Sequence, residues 1–318
     1  MAHAEAPGAS GSLGGASRRS GRARALSLGS VPPPALILLG IVSVQVGAGL
    51  AKHLFERLPP TTVVSIRLLA SALVLGFLAR KALRTVLRDH SWTSLAVVAG
   101  YGVSLAGMNF AFYQSLSRIP LGVAVTIEFL GPLSVAIAGS RRPRDVLWVL
   151  LAGGGVVMLA RGGGDADLLG IAFALLAAVG WASYILLAAA TGQRIPGSTG
   201  LALASIIGTL VVLPGGIATG VAAGGGALLD PALLVIGLGV GLLSSVIPYS
   251  LELETLRRVP ARVFGILMSL EPAVAALVGV VVLGEILTGR QWVAIGCVIV
   301  ACAGATRGGQ DPPAAPEA

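Results

Sequence analysis

Residues 118–139 read RIPLGVAVTIEFLGPLSVAIAG, and residues 258–279 read RVPARVFGILMSLEPAVAALVG. Set at an offset of 140, Arg118 meets Arg258, Pro120 meets Pro260, Pro132 meets Pro272 and Gly139 meets Gly279. Upstream, Ser104 meets Ser244 and Leu116 meets Leu256; after a short insertion, Trp148 meets Trp292 at an offset of 144. A register kept over a whole helix marks an internal repeat. Past the arginines at its start, each stretch is fit for hydrocarbon except at a glutamate: Glu128 in the first, Glu271 in the second.

The rest of the chain reads the same way. Soluble domains carry about 25% charged residues; this one has 11%, with 55% hydrophobic residues and a mean hydropathy of +0.89. Its 45 glycines fit closely approaching membrane helices. A membrane helix needs about 20 apolar residues. Ten candidate runs follow one another: 34–55, 61–79, 93–115, 120–139, 144–161, 168–190, 199–219, 231–255, 261–283 and 289–305. Barrel strands are about half that length and alternate in polarity; these runs do neither. The expected fold is an all-α polytopic membrane protein of ten transmembrane helices.

The repeat divides those ten into two fives. The domains are a first repeat over 34–162 and a second over 163–305, between a disordered basic arm at 1–33 and a disordered tail at 306–318. Arg18-Arg19 in the arm is followed by Ser-Gly-Arg-Ala rather than an apolar core, unlike a twin-arginine export signal. Five is odd, so the repeats enter the membrane from opposite sides, the design of secondary transporters with a site near the midplane.

Charge sets the expected orientation. With the N-terminus inside, sixteen Lys and Arg residues fall in inside segments, among them Arg80, Lys81, Arg84, Arg88, Arg141 and Arg142. Four fall outside: Arg57, Arg118, Arg161 and Arg290. Both termini are therefore expected in the cytoplasm, and the protein in a bacterial inner membrane. The net charge of +8 marks topology, not nucleic acid, since the arginines lie in short clusters between apolar runs.

A charge at mid-membrane costs a few kcal/mol on insertion scales, so such a residue faces an interior cavity or stays protonated. Counted from the matched prolines, Glu128 lies four residues before and Glu271 one before. Three residues apart is one helical face, so both carboxyls are candidates to line one cavity. A proline within a helix cannot bond the carbonyl four residues earlier. Pro132 therefore frees the carbonyl of Glu128, Pro272 that of Met268 and Pro248 that of Ser244. Carboxylate and free carbonyl together make an ammonium or proton site; alternatively, Glu128 only tethers helices by a hydrogen bond.

Arg67 is a counter-charge to Glu128, a site for a substrate carboxylate, or a structural partner. Gln45, Asn109 and Tyr113 are spaced to line their helices. Glu252 follows the kink at Pro248 and faces the cavity or pairs with Arg257 and Arg258, as Glu254 does. Lys52 and His53 lie where they can snorkel to the interface. Cys297 and Cys302 read as helix packing.

With these residues in view, the chain resembles the drug/metabolite transporter superfamily, built from two EamA-type repeats, and within it the bacterial threonine/homoserine exporter group. The resemblance covers about residues 35–305. It is carried by GYGVSLAGMNFAFYQSL (100–116), the two stretches quoted first, SRRPRDVLWV (140–149), WASYILL (181–187) and VIPYSLELETL (246–256). It implies a cytoplasmic-membrane exporter of small amino acids that exchanges them for protons by alternating access. Its partners are then the amino acid, protons and the bilayer, as a monomer or homodimer, with no cofactor.

Other cargo stays open: other small metabolites, nucleosides or cationic drugs. Aromatic residues are only 5% of the chain, which favours a small zwitterion over a flat cation. An intramembrane enzyme lacks its constellation. His3, His53 and His90 do not form a metal motif, no metal site is expected, and no base stands ready for Ser104. With lysine only at 52 and 81 there is no phosphate-binding G-K-[ST] loop. A non-transporting scaffold would have no need of the repeat.

Overall fold

Apolar runs of membrane length become helices because lipid offers no partner to a backbone N–H or C=O. A computed structural model describes residues 31–89, 91–138, 145–160, 167–195, 198–226, 230–256 and 258–308. Among them helix is the only regular structure beyond turns.

The first repeat comprises α1 (Pro33–Leu54), α2 (Pro60–Asp89), α3 (Trp92–Leu116), α4 (Leu121–Glu128), α5 (Leu130–Ala138) and α6 (Asp145–Ala160). The second comprises α7 (Leu168–Gly192), α8 (Thr199–Ala222), α9 (Pro231–Gly241), a π-turn (Leu242–Val246), α10 (Ile247–Leu256), α11 (Ala261–Met268), α12 (Glu271–Leu283) and α13 (Gly289–Gly308). Nine stretches among the described residues are long and apolar enough to cross a membrane, and Asp145–Leu159 is a shorter apolar helix.

Starts are set locally. Pro33 and Pro231 open α1 and α9, where the missing N–H costs nothing. Asp167 caps α7, its Oδ1 accepting from the Gly170 N–H at 2.9 Å. That bond and nearby Arg118 hold the Asp167 carboxyl below its ordinary range.

Three passes are disturbed near their prolines. The fourth is broken at Phe129, between α4 and α5, and the ninth at Ser269–Leu270, between α11 and α12. The eighth carries the π-turn just before Pro248. In each, a proline removes a donor, and the backbone breaks or widens around it. The π-turn carbonyls are met from elsewhere: Ser43 Oγ donates to Leu243 O at 2.7 Å and Arg67 Nη2 to Ser244 O at 3.2 Å.

Two boundaries also shift. α2 runs ten residues past its expected apolar end, carrying exposed Arg80, Lys81, Arg84 and Arg88. α13 continues to Gly308, so residues 306–308 are helix and not tail. The rest of the tail, residues 1–30 of the arm, and Arg141, Arg142, Arg161 and Arg257 lie outside the described residues.

Packing obeys the repeat. α3 lies on α7 as α1 lies on α10; α2 pairs with its counterpart α8 and α6 with α13; α4 crosses α12. At that crossing a Cβ on Gly122 would stand 2.6 Å from Ala276 Cα, so only glycine admits the approach. Largely exposed apolar side chains, such as Phe77, Leu210 and Val281, face outward as lipid-facing residues do.

Candidate functional site

The broken helices frame a cavity of about 430 Å³, within the range of about 300–1,000 Å³ that small-molecule sites occupy. Its wall repeats the chain's symmetry. Met108, Asn109 and Phe112 line it from α3, and their partners at the offset of 140, Pro248, Tyr249 and Glu252, line it from α10. Val125, Glu128 and Phe129 are matched in the same way by Gly265, Met268 and Ser269.

Of the residues singled out from sequence, Gln45, Arg67, Asn109, Glu128, Glu252 and Glu271 line this space, together with Pro132 and Pro248. Glu128 is the last residue of α4 and 8% exposed, and its carboxyl has no hydrogen-bond partner among the described residues. Glu271 is the first residue of α12 and 6% exposed; Gln45 Nε2 donates to its Oε1 at 2.9 Å. Asn109 is turned to its own helix, Nδ2 donating to Leu105 O at 2.8 Å.

Two residues stand elsewhere. Tyr113 is fully buried behind the wall, its ring centroid 5.4 Å from Arg67 Cζ, so it supports the guanidinium and does not face the cavity. Pro272 follows Glu271 inside the first turn of α12 and is not part of the wall. Lys52 and Glu254 are structural. Lys52 Nζ meets Glu285 Oε1 at 2.6 Å and Ile119 O at 3.0 Å, while Glu254 pairs with Arg258, whose Nε donates at 2.8 Å.

The Lys52–Glu285 contact closes one end of the bundle. Glu285 also accepts the Leu121 N–H at 2.9 Å, so it caps α4. Gly284, at φ +66°, turns the chain to bring Glu285 there. The cavity wall instead reaches toward the end bearing both termini, through Ala136, Ile185, Glu252, Phe264 and Thr306.

Sequence reasoning missed the aromatic part of the site. Trp181, Tyr184, Tyr249, Phe129, Phe112 and Phe264 all line the cavity. The chain's low aromatic content is therefore no guide to this site. Ser244 and Cys302 belong to the wall too. Ser244 was legible as the partner of Ser104, but only packing separates their roles. Ser104 Oγ donates to Gly180 O at 2.9 Å, whereas Ser244 Oγ is buried without a partner among the described residues. Arg67 Nε, Gln45 Oε1 and Glu271 Oε2 are buried and unpartnered as well. Buried polar atoms without a partner cost free energy, and these four belong to side chains of one wall.

The EamA-like transporter family model matches twice, over residues 34–160 and 168–307. The chain belongs to the EamA-like transporter family. The threonine/homoserine exporter RhtA of Escherichia coli K12 is 42% identical over 281 residues, covering 86% of this chain and 91% of that protein. RhtA of Salmonella typhimurium LT2 matches with the same identity and coverage. A solved crystal structure matches with a TM-score of 0.56 at 18% identity, covering 86% of this chain and 97% of its own, and shows the fold alone. The doubled EamA match falls on the repeat that frames the cavity, with its division between residues 160 and 168.

Proposed function

We propose that the chain exports small amino acids of the threonine and homoserine kind across a bacterial inner membrane, in exchange for protons, with both termini in the cytoplasm. One observation carries the reading: Glu128, Glu252 and Glu271 line one cavity with, among the described residues, a single guanidinium, Arg67. A zwitterion fits that arrangement, its carboxylate on Arg67 and its ammonium on a carboxyl group. The exporters named among the relatives support the cargo.

The cycle follows from the same groups. Cargo enters from the end bearing the termini and binds between the repeats. The repeats then rock, the clasp at Lys52 and Glu285 parts, and a proton on Glu128 displaces the ammonium. Inward proton movement supplies about 2.3 kcal/mol per 100 mV, which sustains a cargo gradient of nearly two decades. The four cations on the α2 extension lie at the end bearing the termini, which supports a cytoplasmic placement of that end.

The test is efflux of labelled threonine and homoserine from preloaded proteoliposomes, with and without an imposed proton gradient. Gradient-stimulated efflux that vanishes in Glu128→Gln is the expected result. No efflux from well-reconstituted wild type sinks the amino-acid cargo. A wild-type rate with unchanged pH dependence in Glu128→Gln removes Glu128 from the coupling. The aromatic wall favours a second reading, flat organic cations or nucleosides, which the same vesicles screen.

A further inference from the structure

The cavity holds more acid than a monoamino cargo uses. Such a cargo engages Arg67 with its carboxylate and one carboxyl with its ammonium. Glu271 already accepts from Gln45. Glu252 is left with no hydrogen-bond or ionic partner among the described residues, although Glu254, two residues on, has taken Arg258. Glu252 is partly buried on the cavity wall, and its partner across the repeat, Phe112, carries no charge.

We propose that the chain also carries amino acids with a second ammonium group on the side chain, the class of lysine and ornithine, and that Glu252 receives that group. The proposal rests on the amino-acid reading of the same cavity. Ser244, whose carbonyl Arg67 holds, and Glu252 lie on one continuous helical run, roughly two turns or about 12 Å apart along its axis. A cargo anchored by its carboxylate at Arg67 can thus direct an extended side chain toward Glu252. The walls on the way are aromatic. Tyr249 stands one turn before Glu252 on the same helical face, and Trp181, Tyr184 and Phe264 line the same space. Ring faces attract ammonium groups and their methylene stems alike. At the anchored end, Gln45, Asn109 and Glu128 line the same space, beside the α-carbon groups.

Norleucine provides the control, since it has the four-carbon arm of lysine without the terminal ammonium. Proteoliposomes of the full chain are preloaded with unlabelled lysine or threonine, and counterflow of the labelled amino acid is measured against lysine, ornithine and norleucine as competitors. Labelled lysine should be carried, and lysine should compete at least about tenfold more strongly than norleucine. Glu252→Gln should reduce that advantage to about twofold or less. Norleucine competing as well as lysine overturns the proposal, as does lysine that competes without being carried, or an advantage that survives Glu252→Gln. If the variant does not insert, the wild-type lysine-to-norleucine ratio decides alone. Lysine transport without threonine transport leaves this inference standing and removes threonine from the proposed cargo; transport of neither overturns both.

Discussion

The fourth and ninth passes are the same device used in two ways. Both begin after a matched proline, Pro120 or Pro260, run eight residues as α4 or α11, and break at corresponding positions. The acid, however, lies before the break in one and after it in the other. Glu271 opens α12, where backbone dipoles favour an anion and Gln45 holds it. Glu128 closes α4, where the dipoles do not help and no side chain among the described residues hydrogen-bonds it. The repeat builds a symmetric frame; the departures from symmetry provide one anchored carboxyl and one loose one. An anchored group suits holding cargo, and a loose one suits exchange.

The largest expected effect probes that difference directly. Glu128→Gln should lower gradient-driven efflux about a hundredfold, whereas Glu271→Gln, which keeps an acceptor for Gln45, should lower it about tenfold, the two falls corresponding to about 2.7 and 1.4 kcal/mol. Equal losses in the two variants would erase the distinction drawn here.

The frame itself can be broken at the α4–α12 crossing. Gly122→Leu forces a side chain against the Ala276 backbone and should destabilise the protein by about 3 kcal/mol. Gly153→Ala on α6, where no atom beyond its own helical turn lies within 4 Å of the new methyl among the described residues, should stay within about 0.5 kcal/mol of wild type. Thermal unfolding in detergent compares them, and similar midpoints would refute a glycine-dependent crossing.

Two ion pairs sharpen the comparison at smaller scale. Lys52→Met removes the partner of Glu285, whose side chain is only 11% exposed, and should cost about 2 kcal/mol once partial exposure is discounted. Arg118→Ala breaks a pair with Asp167 that is 38% and 33% exposed and should leave the midpoint close to wild type, because solvent screens exposed pairs. The same unfolding measurement separates them, and a reversed order would mean that the Lys52 contact is no clasp.

Much of this was legible in residue order. Run lengths mark the passes, and the offset of 140 pairs the two halves and, with them, the residues that line the cavity from α3 and α10. The acids at 128, 252 and 271 and the cation at 67 stand out because hydrocarbon tolerates so few of them. Tyr113 shows where spacing fails. It lies one turn from Asn109, yet a small rotation of α3 puts its ring behind Arg67. The prolines announced disturbed helices, but not whether each would kink, break or widen into a π-turn.

Sequence alone thus determined the membrane class, the repeat and the identity of the charged residues, because the cost of polar groups in lipid acts on each helix separately and leaves its record in composition and period. Only the tertiary structure decided that Lys52 meets Glu285, that Ser104 is satisfied while Ser244 is open, and that six aromatic rings gather on one cavity wall. Those outcomes depend on how helices distant in the chain rotate against one another. No local signal encodes that rotation, because it is set by close packing across both repeats at once.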